Sequence, residues 1–142
     1  RPPISTLFPY TTLFRSVADE SIFYVSPLVI GLWDAFPVSP GHALLVPRRH
    51  VADWFEATPE EQAALTGAIA EAKRIIVEQY RPDGWNVGMN IGAAAGQTVF
   101  HLHIHVIPRY AGDVGNPRGG IRAVIRAKAG YPSGSKTGVP SG

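Results

Sequence analysis

Cysteine is absent from the 142 residues of this chain. Its absence excludes disulfides, thiolate nucleophiles and cysteine-ligated metal sites within this sequence. Net charge is also small, at +2, so neither a nucleic acid nor a membrane surface is indicated as a partner. Hydrophobic runs stay short of the roughly 18 residues that a membrane-spanning helix needs. Because no signal-peptide pattern is visible, we expect a cytoplasmic protein.

The composition divides the chain into three parts. Residues 1–16 lack any helical or strand period and resemble a translated sequencing-adapter fragment, so we expect a non-native or disordered leader. A native edge strand is the alternative for this segment. Residues 17–128 carry coherent structural signals and form the predicted domain. Residues 129–142 are rich in Gly, Ser and Pro, which predicts a flexible tail.

Short apolar runs and a single long helical pattern predict an α+β fold with a five-stranded antiparallel sheet. A parallel sheet would need a helix between most of its strands, and the sequence lacks them. A short helical turn over about residues 51–55, with Trp54 and Phe55 buried, is expected before the long helix. The predicted strands are 21–25, 28–33, 43–46, 85–91 and 99–107.

The long helix is predicted from residue 59 to about residue 81. Thr58 is a favourable N-cap and Pro59 suits the first helical position. Glu61 stands three residues after Thr58 and completes a capping box. The apolar residues that follow recur at helical spacing and predict one buried stripe, formed by Leu65, Ile69, Ala72, Ile76 and Tyr80.

The strongest functional signal is the alternating run HLHIHVIPR at residues 101–109. On a strand, His101, His103 and His105 would share one face, while the residues between them would pack against the helix. Three imidazoles on one face are poor core material, because each ring nitrogen needs a hydrogen-bond partner. We therefore expect the histidine face to line a site.

Two kinds of chemistry fit such a face, and the residues leave both open. Three neutral imidazoles can hold zinc, although alternate side chains on a flat strand spread over about 13 Å. In the other chemistry, one imidazole attacks phosphorus while its neighbours supply protons and hydrogen bonds. The preceding loop at residues 92–96 (GAAAG) favours phosphate, because small residues let backbone N–H groups approach an anion.

Two segments carry a resemblance to a known family. Residues 96–109 (GQTVFHLHIHVIPR) resemble the signature of the histidine triad (HIT) family, and residues 34–50 (DAFPVSPGHALLVPRRH) resemble its first motif block. The resemblance implies a HIT-like fold, a symmetric homodimer and a purine nucleotide as substrate. It also implies hydrolysis at the α-phosphate of adenylated substrates through a covalent nucleotidyl-histidine, with release of a nucleoside monophosphate. We expect no cofactor and no bound metal.

The resemblance further implies a role for each site residue. His103 would be the nucleophile, with His101 and His105 holding its tautomer and contacting phosphate oxygens. His42 would hydrogen-bond near His105, and Asp34 would bind the ribose hydroxyls. The remaining predicted substrate contacts are Asn90, Gly96, Gln97 and Thr98 near the phosphates, and Ile30 and Trp33 on either side of the base.

Other interpretations of these residues are structural. Asp34 and Asn90 are ordinary turn formers, His42 suits a surface loop, and His50 suits the cap of a short turn. Rival functions are a nucleotidyltransferase or phosphorylase of the same family, a non-catalytic nucleotide-binding protein, and a metal-dependent enzyme. Adenylated amines, dinucleoside polyphosphates and adenylated sulfate or sugars are all compatible substrates.

Overall fold

The structure, a computed structural model, describes residues 19–132 of the chain. The predicted leader, residues 1–16, and most of the predicted tail, residues 129–142, lie outside this range. The chain divides into two compact units, Arg1–Tyr110 and Ala111–Gly142. Within the described range, no helix combines the length and the apolar character that crossing a membrane requires.

A five-stranded antiparallel sheet forms the centre of the first unit. Its strands are β1 (Ile22–Val25), β2 (Val29–Trp33), β3 (Ala43–Pro47), β4 (Gly84–Gly88) and β5 (Ile104–Arg109). Their order across the sheet is β1-β2-β3-β5-β4, and every neighbouring pair is antiparallel. The predicted α+β fold is therefore confirmed. Strand β5, which carries the end of the histidine run, is paired on both sides.

The long helix, α1 (Pro59–Gln79), lies between β3 and β4 in the sequence. The predicted capping box is present, because Thr58 Oγ1 accepts the N–H of Glu61 at 3.1 Å and Glu61 Oε1 accepts the N–H of Thr58 at 2.9 Å. The helix ends at Gln79, slightly before the predicted residue 81. Its C-cap, Tyr80, already has an extended backbone with φ −124°.

Apolar side chains from α1 pack on one face of the sheet, as the helical stripe predicts. This core cluster contains Leu65, Ala68, Ala72 and Ile76 of the helix with Ala43, Leu45, Leu102, Ile104 and Val106. Burying each large apolar side chain contributes about 1.5–3 kcal/mol. A second cluster, formed by Ile22, Ile30, Leu32 and Val46, occupies the other face. Alternation along β5 therefore places His105 on the face opposite the helix.

The short turn before the helix differs from its prediction. A 3₁₀ turn covers Trp54–Glu56 rather than residues 51–55, because Asp53 caps it by accepting the N–H groups of Phe55 and Glu56. Trp54 packs against the core as expected. Phe55 is 77% exposed, so the prediction that it is buried was wrong.

The last strand is shorter at its start than predicted, since β5 begins at Ile104 and not at residue 99. His101 and His103 consequently precede the strand. The N–H of Leu102 donates to the carbonyl of Val51 at 2.8 Å rather than to β3. Strand β3 also ends at Pro47, which has no N–H to offer a neighbouring strand.

Strand β4 was predicted over residues 85–91 and ends at Gly88. Gly88 pairs with His105, almost at the start of β5. Beyond Gly88, β5 offers no residue to pair with. Strand β4 therefore ends there, because a strand needs a hydrogen-bonded neighbour.

Residues 111–132 are the described part of the second unit. They contain two 3₁₀ turns, Gly120–Val124 and Arg126–Lys128. The guanidinium carbons of Arg118 and Arg122 lie 5.4 and 4.6 Å from the ring centroid of Tyr131. These distances fit cation–π contacts within this segment.

Candidate active site

The segment between β2 and β3, residues 34–42, holds His42 in place and is called here the β2–β3 loop. The N–H of Asp34 donates to the carbonyl of His42 at 3.0 Å and closes the loop at its base. Gly41 has φ +85°, and a Cβ there would lie 2.9 Å from Cδ2 of Tyr80. Only glycine combines this backbone with such close approach to the end of α1.

Two further bonds fix the β2–β3 loop to the end of β5 and the residue after it. Ser39 Oγ donates to the carbonyl of Pro108, and the hydroxyl of Tyr110 donates to the carbonyl of Pro40, each at 2.6 Å. The loop that carries His42 is thereby attached to the same strand that carries His105. A rigid attachment of this kind keeps the two imidazoles in a fixed position relative to each other.

His103 is held by the backbone of the residue two positions before it. Its Nδ1 lies 2.8 Å from the carbonyl oxygen of His101. A carbonyl only accepts, so Nδ1 carries the proton and Nε2 keeps its lone pair. The ring is half-buried and lies 5.2 Å, centroid to centroid, from the ring of His105.

His101 is placed differently from its prediction as a site-lining residue. It is fully buried, with 0% exposure. Its Nε2 donates to the carbonyl of Pro47 at 2.8 Å. Burial lowers its pKa to about 4, so the ring is neutral near pH 7. The predicted control of the His103 tautomer is thus exerted by the carbonyl of His101, while the imidazole itself anchors the segment to β3.

His42 and His105 form a hydrogen-bonded pair, as the resemblance implies. Nε2 of His42 lies 2.9 Å from Nδ1 of His105 and 3.4 Å from Oδ2 of Asp34. On its other side, Nδ1 of His42 accepts the N–H of Val38 at 3.1 Å. Sequence reasoning missed this last contact, because a backbone N–H has no signature in residue type.

Burial sets the protonation of this pair. Desolvation lowers the pKa of His42, and the nearby carboxylate of Asp34 opposes that shift. Desolvation likewise lowers the pKa of His105, with further lowering by His103 and His42 and opposition from Asp34. Both imidazoles therefore favour their neutral forms more than an exposed histidine does.

Asp34 takes part in two kinds of interaction. Its Oδ1 accepts the N–H of Phe36 at 2.8 Å, which is the turn-forming bond. Its Oδ2 is the atom near His42. The turn-former interpretation is therefore correct but incomplete. Asn90, the other proposed turn former, is half-buried just after β4.

Asp34, His42 and His105 form the one cluster in the described residues whose donor atoms could meet at a metal, all lying within 4.8 Å of one another. The donor chemistry does not suit that use. A metal-bound histidine normally donates its other ring N–H, whereas Nδ1 of His42 accepts the N–H of Val38. Binding a metal at Nε2 would leave this ring as an imidazolate. The expectation of no bound metal stays a prediction.

The side chain of Gln97, predicted near the phosphates, is hydrogen-bonded to other parts of the protein. Its Oε1 accepts the N–H of Gly92 at 2.9 Å. Its Nε2 donates to the carbonyls of Ala52 at 2.7 Å and Val99 at 3.1 Å. The side chain is buried, so both amide hydrogens are used to join three segments of the chain.

The small-residue loop before the histidines also closes on itself. The N–H groups of Ala95 and Gln97 donate to the carbonyl of Gly92, and that of Gly96 donates to Ala93. These three N–H groups are therefore directed inward rather than towards an anion. Thr98, which follows, is exposed.

The two residues expected to flank the base lie on opposite faces of the sheet. Ile30 is fully buried in the cluster away from the helix. Trp33 is on the helix side, where its ring stacks on Phe23 at a centroid distance of 4.3 Å. The structure thus brings together Asp34, His42 and the last two histidines of the run, and does not bring Ile30 and Trp33 to one cleft.

Comparison with known proteins places this chain in a family. Residues 15–112 match the family model of the HIT domain. The chain is 38% identical over 108 residues to the AP-4-A phosphorylase of Mycobacterium tuberculosis, covering 74% of this chain and 55% of that protein. It is 34% identical over 94 residues to the asymmetrical bis(5'-nucleosyl)-tetraphosphatase of Schizosaccharomyces pombe, covering 66% of this chain and 52% of that protein.

The chain thus spans about half the length of these curated relatives. A solved structure gives the same result for the fold. The crystal structure of a Hit-like protein involved in cell-cycle regulation from Bartonella henselae is similar with a TM-score of 0.66 and 30% identity, covering 73% of this chain and 79% of that one. Since the family model matches well over half of its residues, the chain belongs to the HIT domain family.

Proposed function

We propose that this chain hydrolyses adenylated nucleotides at the α-phosphate, with His103 as nucleophile and a nucleoside monophosphate as product. The observation that carries the proposal is the 2.8 Å hydrogen bond from Nδ1 of His103 to the carbonyl of His101. It leaves the lone pair on Nε2, which is the form that a nucleophilic imidazole needs. The names of two relatives, both referring to reactions of nucleotides, support the substrate class.

The reaction would take two displacements at phosphorus. In the first, Nε2 of His103 forms a bond to the α-phosphorus, the bond to the leaving group breaks, and its electron pair departs with that group. Nδ1 keeps its proton, so the carbonyl of His101 faces a positively charged, phosphorylated ring. In the second, water attacks phosphorus, the electron pair of the P–N bond returns to Nε2, and the proton that the attacking water loses passes to the solvent.

A phosphorylase is the second candidate, because the relative from Mycobacterium tuberculosis bears that name. Inorganic phosphate would then replace water in the second displacement, and the product would be a nucleoside diphosphate. The first step is the same for both candidates. Supplying inorganic phosphate and analysing the products separates them, since a hydrolase releases the monophosphate at any phosphate concentration.

Trapping the covalent intermediate tests the proposal directly. The chain would be mixed with a diadenosine polyphosphate, quenched in alkaline denaturant and digested for mass spectrometry. We expect an adenylyl group on the peptide that contains His103. The variant His103→Ala should lose the adduct and about 10⁴-fold or more in kcat, while still binding nucleotide.

The control is His50→Ala, which removes an exposed histidine that the proposed mechanism does not use. It should form the adduct as the unaltered chain does. Full turnover by His103→Ala would contradict the mechanism. Loss of turnover in a metal chelator, with recovery on adding metal, would instead favour the metal-dependent rival.

The other expectations about this protein concern its assembly and location. We propose a symmetric homodimer with a separate site in each subunit, which light scattering on the purified chain measures. A cytoplasmic location, the absence of a nucleic-acid partner and the absence of a cofactor remain predictions from the sequence.

A further inference from the structure

We infer that the backbone N–H of Val38 fixes the His42–His105 pair so that His105 offers the substrate a neutral N–H and does not protonate the leaving group. The site would then favour leaving groups that depart as stable anions, such as phosphates or sulfate, over amines. The statement about leaving groups rests on the proposed function, whereas the tautomers follow from the contacts alone.

The directions of the hydrogen bonds are set first in the β2–β3 loop. A peptide N–H can only donate, so Nδ1 of His42, 3.1 Å from the nitrogen of Val38, must hold a lone pair. The single proton of neutral His42 is then on Nε2. That nitrogen lies 2.9 Å from Nδ1 of His105, which must accept. The proton of neutral His105 is therefore on Nε2.

The same chain of bonds has no source of further protons. If His105 gave the proton of Nε2 to a leaving group, it would have to recover one at Nδ1 from His42. His42 could replace that proton only at Nδ1, which accepts the peptide N–H of Val38, a group that does not ionise at accessible pH. Both rings stay neutral only if His105 donates a hydrogen bond and keeps its proton.

The charged groups around the pair do not change this conclusion. His103, His42 and Asp34 are the groups that act electrostatically on His105. Asp34 is a carboxylate 3.4 Å from Nε2 of His42 and accepts protons rather than supplying them. The Nδ1 proton of His103 is directed to the carbonyl of His101.

The chemistry of the leaving group follows from this arrangement. A phosphate or sulfate leaves with its electron pair on oxygen and is a stable anion without an added proton. An amine must gain a proton as the P–N bond breaks, whereas His105 keeps its single proton. Turnover should therefore depend steeply on the pKa of the leaving group, because no acid offsets the charge that develops on it.

The first test reads the tautomers without any substrate. The full chain would be labelled with ¹⁵N-histidine and its ring nitrogens observed near pH 7, with His42→Gln and His105→Gln used for assignment. We expect lone-pair-type Nδ1 and protonated Nε2 in both residues. A proton on Nδ1 of either ring would overturn the inference, whatever the protein catalyses.

Replacing Val38 by its α-hydroxy acid removes only the N–H and tests the cause. We expect His42 to lose its single tautomer in the ¹⁵N spectrum, whereas Val38→Ala, which keeps the N–H, should leave the spectrum unchanged. Unaltered ring nitrogens in the hydroxy-acid variant would show that Val38 does not set the tautomer.

The last test uses aryl esters of AMP whose leaving groups differ in pKa. His105→Gln keeps an N–H donor but cannot act as an acid, and we expect its kcat to stay within about tenfold of the unaltered chain. His105→Ala should lose about 10²–10³-fold, as removal of a donor to a developing anion does. The slope of log kcat/KM, which reports the step in which the leaving group departs, against leaving-group pKa should be equal in His105→Gln and the unaltered chain.

A different pattern would show that His105 is an acid. The deficit of His105→Gln would then grow with the pKa of the leaving group, and the inference would fail while the proposed function stood. If none of the esters were hydrolysed, the proposed function would fail, and the ¹⁵N result would still decide the tautomers.

Discussion

His101 and His105 are equally far from His103 in the sequence, yet the two sides of His103 are built differently. On the His101 side, a fully buried ring donates to the carbonyl of Pro47, and the carbonyl of His101 fixes His103. On the His105 side, a half-buried ring accepts from His42. One side is anchored by backbone carbonyls and the other by a chain of imidazoles.

The difference shows that equal spacing in a motif does not imply equal roles. Alternation of faces holds only where the chain is a strand, and β5 begins at Ile104. His105 is within that strand, so its side chain emerges on the face away from the helix. His101 lies before it and turns into the interior. His101, whose ring was expected to face the substrate, supports His103 through its backbone carbonyl instead.

The largest effect expected from this contrast is on stability at acid pH. His101 has a pKa of about 4 in the folded protein against 6.5 for the free side chain. The unfolded chain therefore binds more protons than the folded one between these values, and stability is lost as pH falls from 6.5 to 4. The loss from this residue is about 3 kcal/mol.

Denaturant unfolding of the chain and of His101→Gln across this pH range measures the effect. Glutamine can still donate to the carbonyl of Pro47 but does not titrate. We expect the unaltered chain to lose about 3 kcal/mol more than the variant between pH 6.5 and pH 4. Parallel pH dependence in the two proteins would show that His101 is not a buried neutral base.

A smaller effect is expected at Gln97, which supports the His101 side from the preceding loop. Gln97→Ala leaves the carbonyl of Ala52 and the N–H of Gly92, both in half-buried residues, without this partner, which costs about 1–3 kcal/mol. The exposed neighbour offers a matched control, since Thr98→Ala should change stability by less than about 0.5 kcal/mol. Both are measured by denaturant unfolding near pH 7.

Kinetics on the same two variants distinguish a structural role of Gln97 from direct contact between Gln97 and the substrate. If Gln97 acts only by holding the loop, the change in KM caused by Gln97→Ala should not depend on how many phosphates the substrate carries. An increase in KM that grew with phosphate number in Gln97→Ala, with stability unchanged, would show instead that this amide binds the substrate.

Much of this architecture can be predicted from the sequence. The capping box, the helical stripe and the alternating apolar runs follow from local residue patterns, and the structure has all three. The ends of β4 and β5 depend on where a neighbouring strand stops, which no local pattern encodes. The exposure of Phe55 likewise depends on which residue caps the turn.

The candidate site is predictable in its members but not in its connections. The residue types indicate His42, Asp34 and the histidine run. The bonds that distinguish the two sides of His103 come from backbone groups of His101, Pro47 and Val38. Because every residue carries such groups, only the fold reveals which of them are used.

The smallest effect, and the one that sharpens the His105 side, is expected from Asp34→Asn. Burial lowers the pKa of His42 and of His105, and the carboxylate of Asp34 partly offsets both shifts. Removing that charge should lower both pKa values further. Since the proposed chemistry needs the neutral pair, the acid limb of the kcat/KM profile should move to lower pH. Asn keeps an oxygen that can accept the N–H of Phe36, so the turn should persist.

The pH profile of hydrolysis, measured on Asp34→Asn and on Asp53→Asn, checks this expectation. Asp53 caps the 3₁₀ turn at Trp54–Glu56, a role that Asn also fills, so its variant controls for the loss of a carboxylate elsewhere. Its profile should match that of the unaltered chain. A basic limb that moves to lower pH in Asp34→Asn would mean that the rate depends on a protonated imidazole. The His105 side would then supply a proton. The two sides of His103 would differ because His105 acts as an acid while His101 anchors the segment.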